Sequence, residues 1–254
     1  MPRDDEPSDD VGSFDDAADA YLESDTHREG DDLERLAAWC TGASDALDVA
    51  TGAGHTAGAI AERGVPRVVA TDASPRMVAT ALEAFAGLEG VVADAARLPF
   101  DKSAFDAVAC RIAAHHFPAP EAFVDEVARV LRPGGTFAFE DTVAPEDPAV
   151  DALLDRVERL RDPTHVRSYP TRQWRDRLAE RGFDLEAVHH MRTTLEFESW
   201  VDRLSPSPSR RDRVESILLE APEDVKAALE VVVEDGSVVS FVNRKMLIRA
   251  RSTL

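Results

Sequence analysis

Gly52 and Gly54 are spaced to bring a ligand close to bare backbone. They follow the apolar run 47–49, which predicts a buried strand containing Asp48, and they precede a segment that predicts a helix. Glycine supplies the backbone angles and the missing side chain that close approach requires, and N–H groups at a helix start are ready donors. The turn therefore predicts a nucleotide-like ligand, although the same glycine pattern is typical of NAD-binding domains.

Acidic residues end the next two apolar runs. Asp72 follows residues 65–71, which predict a second strand, and Asp94 follows residues 91–93, which predict a third. In doubly wound folds, an acid at the tip of the second strand accepts hydrogen bonds from ribose hydroxyls. Strand, glycine turn, helix, strand and acid thus form one consistent unit, and Asp94 could pair with an adenine amino group.

Three later segments complete the pattern: Leu-Pro-Phe-Asp at 98–101, a fourth strand at 104–111, and Leu-Arg-Pro-Gly-Gly at 131–135 before a fifth strand. With the glycine turn and the two acids, they make the chain resemble the class I S-adenosylmethionine-dependent methyltransferases, especially the small-molecule group that includes the ubiquinone and menaquinone C-methyltransferases. The resemblance covers roughly residues 45–142. It implies an α/β fold with a Rossmann-like, doubly wound, seven-stranded sheet whose last strand is antiparallel, a helical N-terminal cap, and an insertion after strand five.

The resemblance also implies S-adenosyl-L-methionine as the cofactor. The glycine turn would approach its methionine portion, the acid after the second strand would hold its ribose, and residues 94–95 would meet the adenine edge. The N-terminal segment could close over the methionine end, with plain helix packing and a solvated loop as the alternatives there. The implied cofactor-binding residues are Asp48, Gly52, Gly54, Asp72, Ala73, Met77, Asp94, Ala95, Arg111, Tyr21 and His27, of which Met77 could instead be plain core.

One position departs from the family pattern. Such methyltransferases often have glycine two residues after the first acid, where this chain has Ala50. We expect the methyl group of Ala50 to be tolerated on the condition that this residue still lies within the strand.

The candidate catalytic residues follow from the chemistry of methyl transfer. A sulfonium methyl is already activated, so the protein mainly aligns the reactants and excludes water. A base is needed when the acceptor must lose a proton, and histidine is best matched near neutral pH. His116 follows the fourth strand at the carboxyl edge of the sheet, where open α/β sheets bind ligands, so it is one candidate. A structural role in the paired sequence His115-His116 is the alternative, and Asp141, which ends the fifth strand, is a second candidate.

A later segment is expected to face the acceptor. His165, Arg167 and Tyr169 lie in the insertion that the resemblance places over the acceptor, where they could orient an anionic or phenolic substrate; a solvated loop is the alternative. His189 and His190 are too far from the expected pocket edge to be favoured, and no His/Cys/Asp spacing suggests a metal site.

Charge and composition exclude several classes of partner. The formal charge of −20 is too acidic to favour nucleic acid or an anionic membrane surface. Three lysines leave 26 arginines among the 29 basic residues, a composition that indicates adaptation to high salt, with an ordinary acidic protein as the alternative. Two cysteines are too few for a disulfide framework, and we find no long apolar segment and no signal peptide, so we expect a cytoplasmic protein with a small-molecule partner and no membrane span.

The expected organisation is one domain behind a short tail. Residues 1–13 are acidic and almost without large apolar groups, so they predict a disordered tail. Residues 14–254 would form the methyltransferase domain, divided into an N-terminal helical cap (14–44), a cofactor-binding core (45–142), an acceptor-side insertion and helix (143–184), and C-terminal strands and helices (185–254), with helices near 210–221 and 223–234.

Two other functions stay open at this stage. The same fold could serve an NAD-dependent oxidoreductase or a nucleotide-binding protein without catalysis. The identity of the acceptor, the atom that is methylated and the oligomeric state do not follow from the sequence.

Overall fold

The strands and helices expected from the sequence appear in a computed structural model that describes residues 30–204 and 207–254. The predicted tail (1–13), the first predicted helix, Tyr21 and His27 lie outside this range. The strands are β1 (Asp45–Val49), β2 (Arg67–Asp72), β3 (Glu89–Val92), β4 (Phe105–Arg111), β5 (Leu131–Thr142), β6 (Phe183–Glu196), β7 (Val232–Glu234) and β8 (Ser237–Ser252). The helices are α1 (Asp31–Trp39), α2 (His55–Glu62), α3 (Pro75–Ala84), α4 (Pro120–Val130), α5 (Pro148–Arg161), α6 (Thr171–Glu180), α7 (Phe197–Asp202), α8 (Pro208–Leu219) and α9 (Glu223–Ala228).

One twisted sheet connects all these strands, in the order β3-β2-β1-β4-β5-β8-β6. The first five strands run parallel, and β8 lies antiparallel between β5 and β6. This confirms the doubly wound fold in which the last strand of the chain is antiparallel. Because the parallel strands all point the same way, their carboxyl ends meet at one edge, and the strand order reverses between β1 and β4, where such folds bind ligands.

A short strand in addition to the seven expected, β7, corrects one prediction. The helix expected near 223–234 ends at Ala228, and residues 232–234 form β7, which pairs with β8 beside the main path. Glu230 has a positive φ of 52°, which turns the chain, and the run Val231-Val232-Val233 favours extended backbone because valine is stiff at χ1.

Both faces of the sheet are covered, as a parallel sheet requires. Alternate residues of β1 point to opposite faces: Leu47 joins the core under α4 and α6, and Ala46 joins the core under α1 and α2. A third cluster joins α5, α7, α8 and β8 around Trp200 and Phe241. The insertion after β5 therefore packs with the C-terminal helices at the carboxyl edge of the sheet. No helix in the described ranges is long and apolar enough to cross a membrane.

Candidate functional site

A cleft opens at the carboxyl ends of β1, β2 and β4; we call it the glycine cleft. It is lined by residues 50–53, 55–56, 72–73, 77, 93–95, 111–113 and 116–118. Its empty volume is about 1080 Å³ with the open mouth included. Of the predicted cofactor-binding residues, seven line it: Gly52, Asp72, Ala73, Met77, Asp94, Ala95 and Arg111.

Asp48 holds the glycine turn from below and does not line the cleft. Its Oδ2 accepts hydrogen bonds from the Thr51 hydroxyl at 2.6 Å and from the Ala57 N–H at 3.1 Å. Burial raises the pKa of Asp48 to about 7, against the opposing effect of these two donors. The carboxyl group thus ties the end of β1 to the first turn of α2.

Asp72 connects the glycine turn to the next helix. Its Oδ2 accepts the Gly52 N–H at 3.0 Å, and its Oδ1 accepts the Ser74 N–H at 2.9 Å. Ser74 in turn caps α3, because its hydroxyl accepts the Met77 N–H at 3.0 Å. The side chain predicted to hold a ribose therefore also fixes the two loops that flank the cleft.

Glycine is favoured at the two positions of the turn for different physical reasons. Gly52 has φ 53° and lines the cleft, and a Cβ there would meet no atom within 4 Å. Gly54 has φ 93°, and a Cβ there would lie 2.7 Å from Cβ of Ala81 on α3. Gly54 does not line the cleft, and its missing Cβ lets α2 pack closely against α3; its expected approach to the ligand stays a prediction.

Two residues of the cleft hold positive φ without being glycine. β1 ends at Val49, and Ala50 has φ 55°. The condition set for this position, that it still lie within the strand, is therefore wrong, and Ala50 carries the strain that a glycine would avoid. Ile112, directly after β4, has φ 52°, which is a genuine outlier for a β-branched residue. Strain of this kind concentrates at functional sites.

A buried ion quartet forms the wall behind the cleft. Arg111 pairs with Glu140 at 2.9 Å and with Asp32 at 3.0 Å, and Lys245 pairs with the same two carboxylates at 3.1 and 2.9 Å. Burial raises the pKa of Glu140 to about 7, although Lys245 and Arg111 act against it. Burial also acts to raise the pKa of Asp32, but the hydrogen bond with Glu140 and the two cations hold it well below its usual range.

Sequence reasoning missed this quartet, although a signal exists. Lys245 is one of three lysines in the chain and lies in the apolar final strand, and Glu140 follows an apolar run in β5. A charge in a strand that is otherwise buried requires a partner, because an unpaired buried charge is very costly. The partner Asp32 lies on α1, far away in sequence, so only the fold joins them.

A second cavity adjoins the first, and we call it the histidine pocket. It is lined by His115, His116 and His165 and by side chains from α5, α7, β6 and β8, among them Glu158, Trp200, Thr193 and Lys245. Ile112 and His116 line both cavities. The ring centroid of His115 lies 4.1 Å from that of His116 and 5.4 Å from that of His165. The structure thus brings together His116 and His165, two residues that the sequence singled out separately.

His115 is paired with a buried carboxylate. Its Nδ1 lies 2.6 Å from Oδ1 of Asp141, which is fully buried and lines neither cavity. Burial acts to lower the pKa of His115, but the charge and hydrogen bond of Asp141 outweigh it and leave that pKa raised. Asp141, predicted as a candidate catalytic residue, contacts the His115 ring and fixes its orientation.

His116 and His165 are held in the neutral form. Burial and the nearby His115 lower the pKa of His116 to about 3 and that of His165 to about 4. Nδ1 of His116 donates to the Thr164 carbonyl at 3.1 Å, since a carbonyl only accepts, so Nε2 is its basic nitrogen. Nε2 of His165 is buried and has no hydrogen-bond partner among the described residues.

Two residues expected to face the acceptor lie elsewhere. Arg167 forms a two-pronged ion pair with Asp151 of α5, which holds it away from both cavities. The ring of Tyr169 packs under the guanidinium of Arg177 at 4.1 Å and edge-on against Trp174. These contacts fix the segment after α5, and the expected substrate contacts of Arg167 and Tyr169 stay predictions. Within residues 30–204 and 207–254, no group of three or more His, Cys, Asp or Glu side chains is arranged to hold a metal ion.

Known proteins resemble this chain in sequence and in fold. A family model described as a methyltransferase domain matches residues 47–139. The uncharacterized methyltransferase YcgJ of Bacillus subtilis is 32% identical over 241 residues, covering 91% of this chain and 94% of YcgJ. A crystal structure from Bacillus halodurans, solved as a candidate methyltransferase, has a TM-score of 0.85 and 38% identity and covers 89% of this chain and 100% of that one. A demethylmenaquinone methyltransferase of Clavibacter sepedonicus is 36% identical over 48% of this chain and 50% of its own length.

Proposed function

From the premise that this chain belongs to the methyltransferase family, as its motifs predicted, we propose that it transfers a methyl group from S-adenosyl-L-methionine to a small-molecule acceptor. The observation that carries the proposal is the junction of the two cavities at Ile112 and His116. One cavity has the backbone turn and acids of a nucleoside site, and the other has titratable side chains. The relatives are methyltransferases and give no support to the NAD-dependent oxidoreductase that the sequence had left open.

The residues of the glycine cleft fit the proposed cofactor. Gly52 offers backbone with open space at its missing Cβ, and the carboxylates of Asp72 and Asp94 suit a ribose and an adenine edge. Met77 and Ala95 add an apolar wall for a flat ring. When bound, the cofactor supplies an electrophilic methyl group on its sulfonium. The wall of Arg111 and the strained Ile112 would keep that end of the cleft rigid and exclude water.

The acceptor would enter the histidine pocket. Its lining combines the turn after β4 with the insertion after β5 and the C-terminal elements, and these last two lie outside the match to the family model. A small-molecule acceptor is also supported by the demethylmenaquinone methyltransferase among the relatives. His116, at the junction, is placed to border both reactants. We propose the domain boundaries of the sequence analysis on the same grounds.

Calorimetric titration tests the cofactor assignment. We would titrate the full chain in molar KCl with S-adenosylmethionine, S-adenosylhomocysteine and NAD. Binding of the first two at micromolar concentration without NAD binding is expected. Binding of NAD alone would contradict the proposal, and binding of none would shift the assignment to a protein without this cofactor.

The acidic composition supports a second, independent proposal, that the protein is cytoplasmic and adapted to high salt. Its carboxylates greatly outnumber its basic groups, and screening of their repulsion should stabilise the fold. Both Cys40 and Cys110 are buried free thiols, which suits a reducing compartment. The unfolding temperature should rise from low to molar KCl; a fold equally stable without salt would argue against the adaptation.

A further inference from the structure

We propose that His115, oriented by Asp141, is the general base of the reaction, and that the acceptor is a small molecule with an acidic hydroxyl, a phenol or an enol. This inference rests on the proposed methyl transfer. It goes beyond it because it assigns the base to a different histidine from the one at the junction and names the chemical class of the acceptor.

The geometry of the His115–Asp141 pair fixes the position of the proton. A carboxylate only accepts, so the 2.6 Å contact means that Nδ1 of His115 donates to Oδ1 of Asp141. The neutral ring therefore has its basic nitrogen at Nε2, on the side opposite Asp141, and the ring borders the histidine pocket. Asp141 lies fully buried below it and stabilises the imidazolium that forms when Nε2 takes a proton.

The neighbouring groups assign the proton to His115 among the three histidines. The ring centroids of His116 and His165 lie 4.1 and 5.4 Å from that of His115, so a charge on one ring disfavours a charge on the others. His115 alone of the three contacts a fully buried carboxylate. Other charged groups also face this pocket: Glu158, Arg161 and Asp162 at the end of α5, Arg203 after α7, and Lys245 on β8.

The strength of an imidazole base selects the acceptor. A tyrosine-like phenol has a pKa of about 10, so its proton reaches a histidine over a gap of about 3 to 4 pKa units. Bulk water, at about 15.7, represents an unactivated hydroxyl and leaves a gap of about 9 units. A neutral amine needs no base at this step. The His115–Asp141 pair would therefore deprotonate an acidic hydroxyl effectively and a plain alcohol poorly.

A second observation points to oxygen on the ligand. Nε2 of His165 is buried, lines the same pocket and has no hydrogen-bond partner in the described part of the chain. A buried polar atom left unpaired is costly, so a ligand hydroxyl or carbonyl beside the reacting oxygen would satisfy it. Leu195 and Trp200 supply apolar surface for the remainder of a planar ring.

Proton transfer to His115 accompanies methyl transfer to the acceptor oxygen. The acceptor O–H proton moves to Nε2 of His115, and an oxygen lone pair forms the new bond to the methyl carbon of the sulfonium donor. The C–S bonding pair returns to sulfur, which leaves as a neutral thioether. The imidazolium then loses its proton to solvent, which restores the base.

A chromophoric phenol tests the assignment without turnover. We would add 4-nitrocatechol to the protein saturated with S-adenosylhomocysteine, at a pH where the free probe is protonated. The wild type should bind it as the phenolate, seen by absorbance, while ¹⁵N NMR shows the His115 ring doubly protonated in the complex. In His115→Gln and Asp141→Asn, the bound phenolate should fall about tenfold or more, equivalent to at least one pKa unit of the probe. His190→Gln, an exposed histidine on β6 outside both cavities, is the matched control.

The outcomes separate this inference from the proposed function. If S-adenosylhomocysteine binds but the probe stays neutral or does not bind at millimolar concentration, the general-base assignment is overturned and the cofactor assignment stands. Equal phenolate in wild type and both variants overturns it as well. Failure of S-adenosylhomocysteine to bind removes both proposals. Should a variant fail to fold, the NMR titration of the wild type still decides, because a His115 ring that stays neutral while phenolate forms contradicts the proposal.

Discussion

The glycine cleft and the histidine pocket lie side by side but are built from different material. The cleft consists of backbone, small side chains and two carboxylates from consecutive βα units, so each part lies close in sequence to the next. The pocket collects ionisable side chains from the turn after β4, from α5 and from β8, and the first and last of these are more than a hundred residues apart. The glycine cleft can therefore be predicted from local sequence patterns, whereas the histidine pocket depends on the assembled fold.

The ion quartet is the wall between the two cavities. Arg111 lines the glycine cleft, Lys245 lines the histidine pocket, and both contact the same two carboxylates. All four groups are at least nine-tenths buried. Changes in the quartet should therefore affect both cavities, whereas changes elsewhere in one cavity should leave the other intact.

The largest effect is expected from Lys245→Met. The change leaves Asp32 and Glu140 buried with only Arg111 as a counter-charge, and removing one partner of a buried ion network costs about 3–5 kcal/mol. The free energy of unfolding, measured by denaturant titration, should fall by that amount, and both cavities should lose ligand affinity. Adding Glu140→Gln should recover part of the loss. Lys102→Met, at an exposed position, is the control; a matching loss there would contradict the assignment.

Asp72→Ala should disturb the glycine cleft alone. It removes the acceptor of the Gly52 and Ser74 N–H groups together with the expected ribose contact, so the affinity for S-adenosylhomocysteine should fall by about 1–3 kcal/mol. Calorimetry measures this, with Asp184→Ala on the exposed side of β6 as the control. The ¹⁵N spectrum of His115 should not change. An unchanged affinity would show that the ribose assignment is in error.

The same contrast explains what the sequence could predict. The order of strands, the glycine turn and Asp72 follow from local patterns, because periodicity and turn chemistry are short-range. Ala50 was misjudged because its φ depends on where β1 ends, within one residue. Arg167 and Tyr169 contact Asp151 and Arg177 and line neither cavity, and no local pattern indicates those partners. The pairing of His115 with Asp141 needs the register of β4 against β5, which no local pattern supplies.

His165→Gln should change the pH dependence of stability through the histidine pocket alone. The folded pKa of His165, about 4, lies below the unfolded value of about 6.5, so the unfolded chain binds more protons between them. The contribution of the neutral His165 ring to the free energy of unfolding is therefore fully present above about pH 6.5 and is lost as the pH falls towards 4. Relative to wild type, the variant should gain about 1–2 kcal/mol in the free energy of unfolding between pH 7 and pH 5. The same titration of His190→Gln shows the effect of removing an exposed histidine, and parallel curves for His165→Gln and wild type would rule out the buried, neutral ring.

The smallest effect is expected from Ala50→Gly, which tests whether the glycine cleft is strained in its backbone. Left-handed backbone costs an alanine about 1–2 kcal/mol, while glycine costs about 0.5–1 kcal/mol in conformational entropy, so the variant should be more stable by up to about 1 kcal/mol. Ala93→Gly makes the same chemical change in the same cleft at a residue without positive φ, and it should lose stability instead. Two equal losses would show that the φ of Ala50 carries no strain. Gains at position 50 alone would show that the chain keeps an alanine in its ligand turn at the expense of stability, as strained functional sites do.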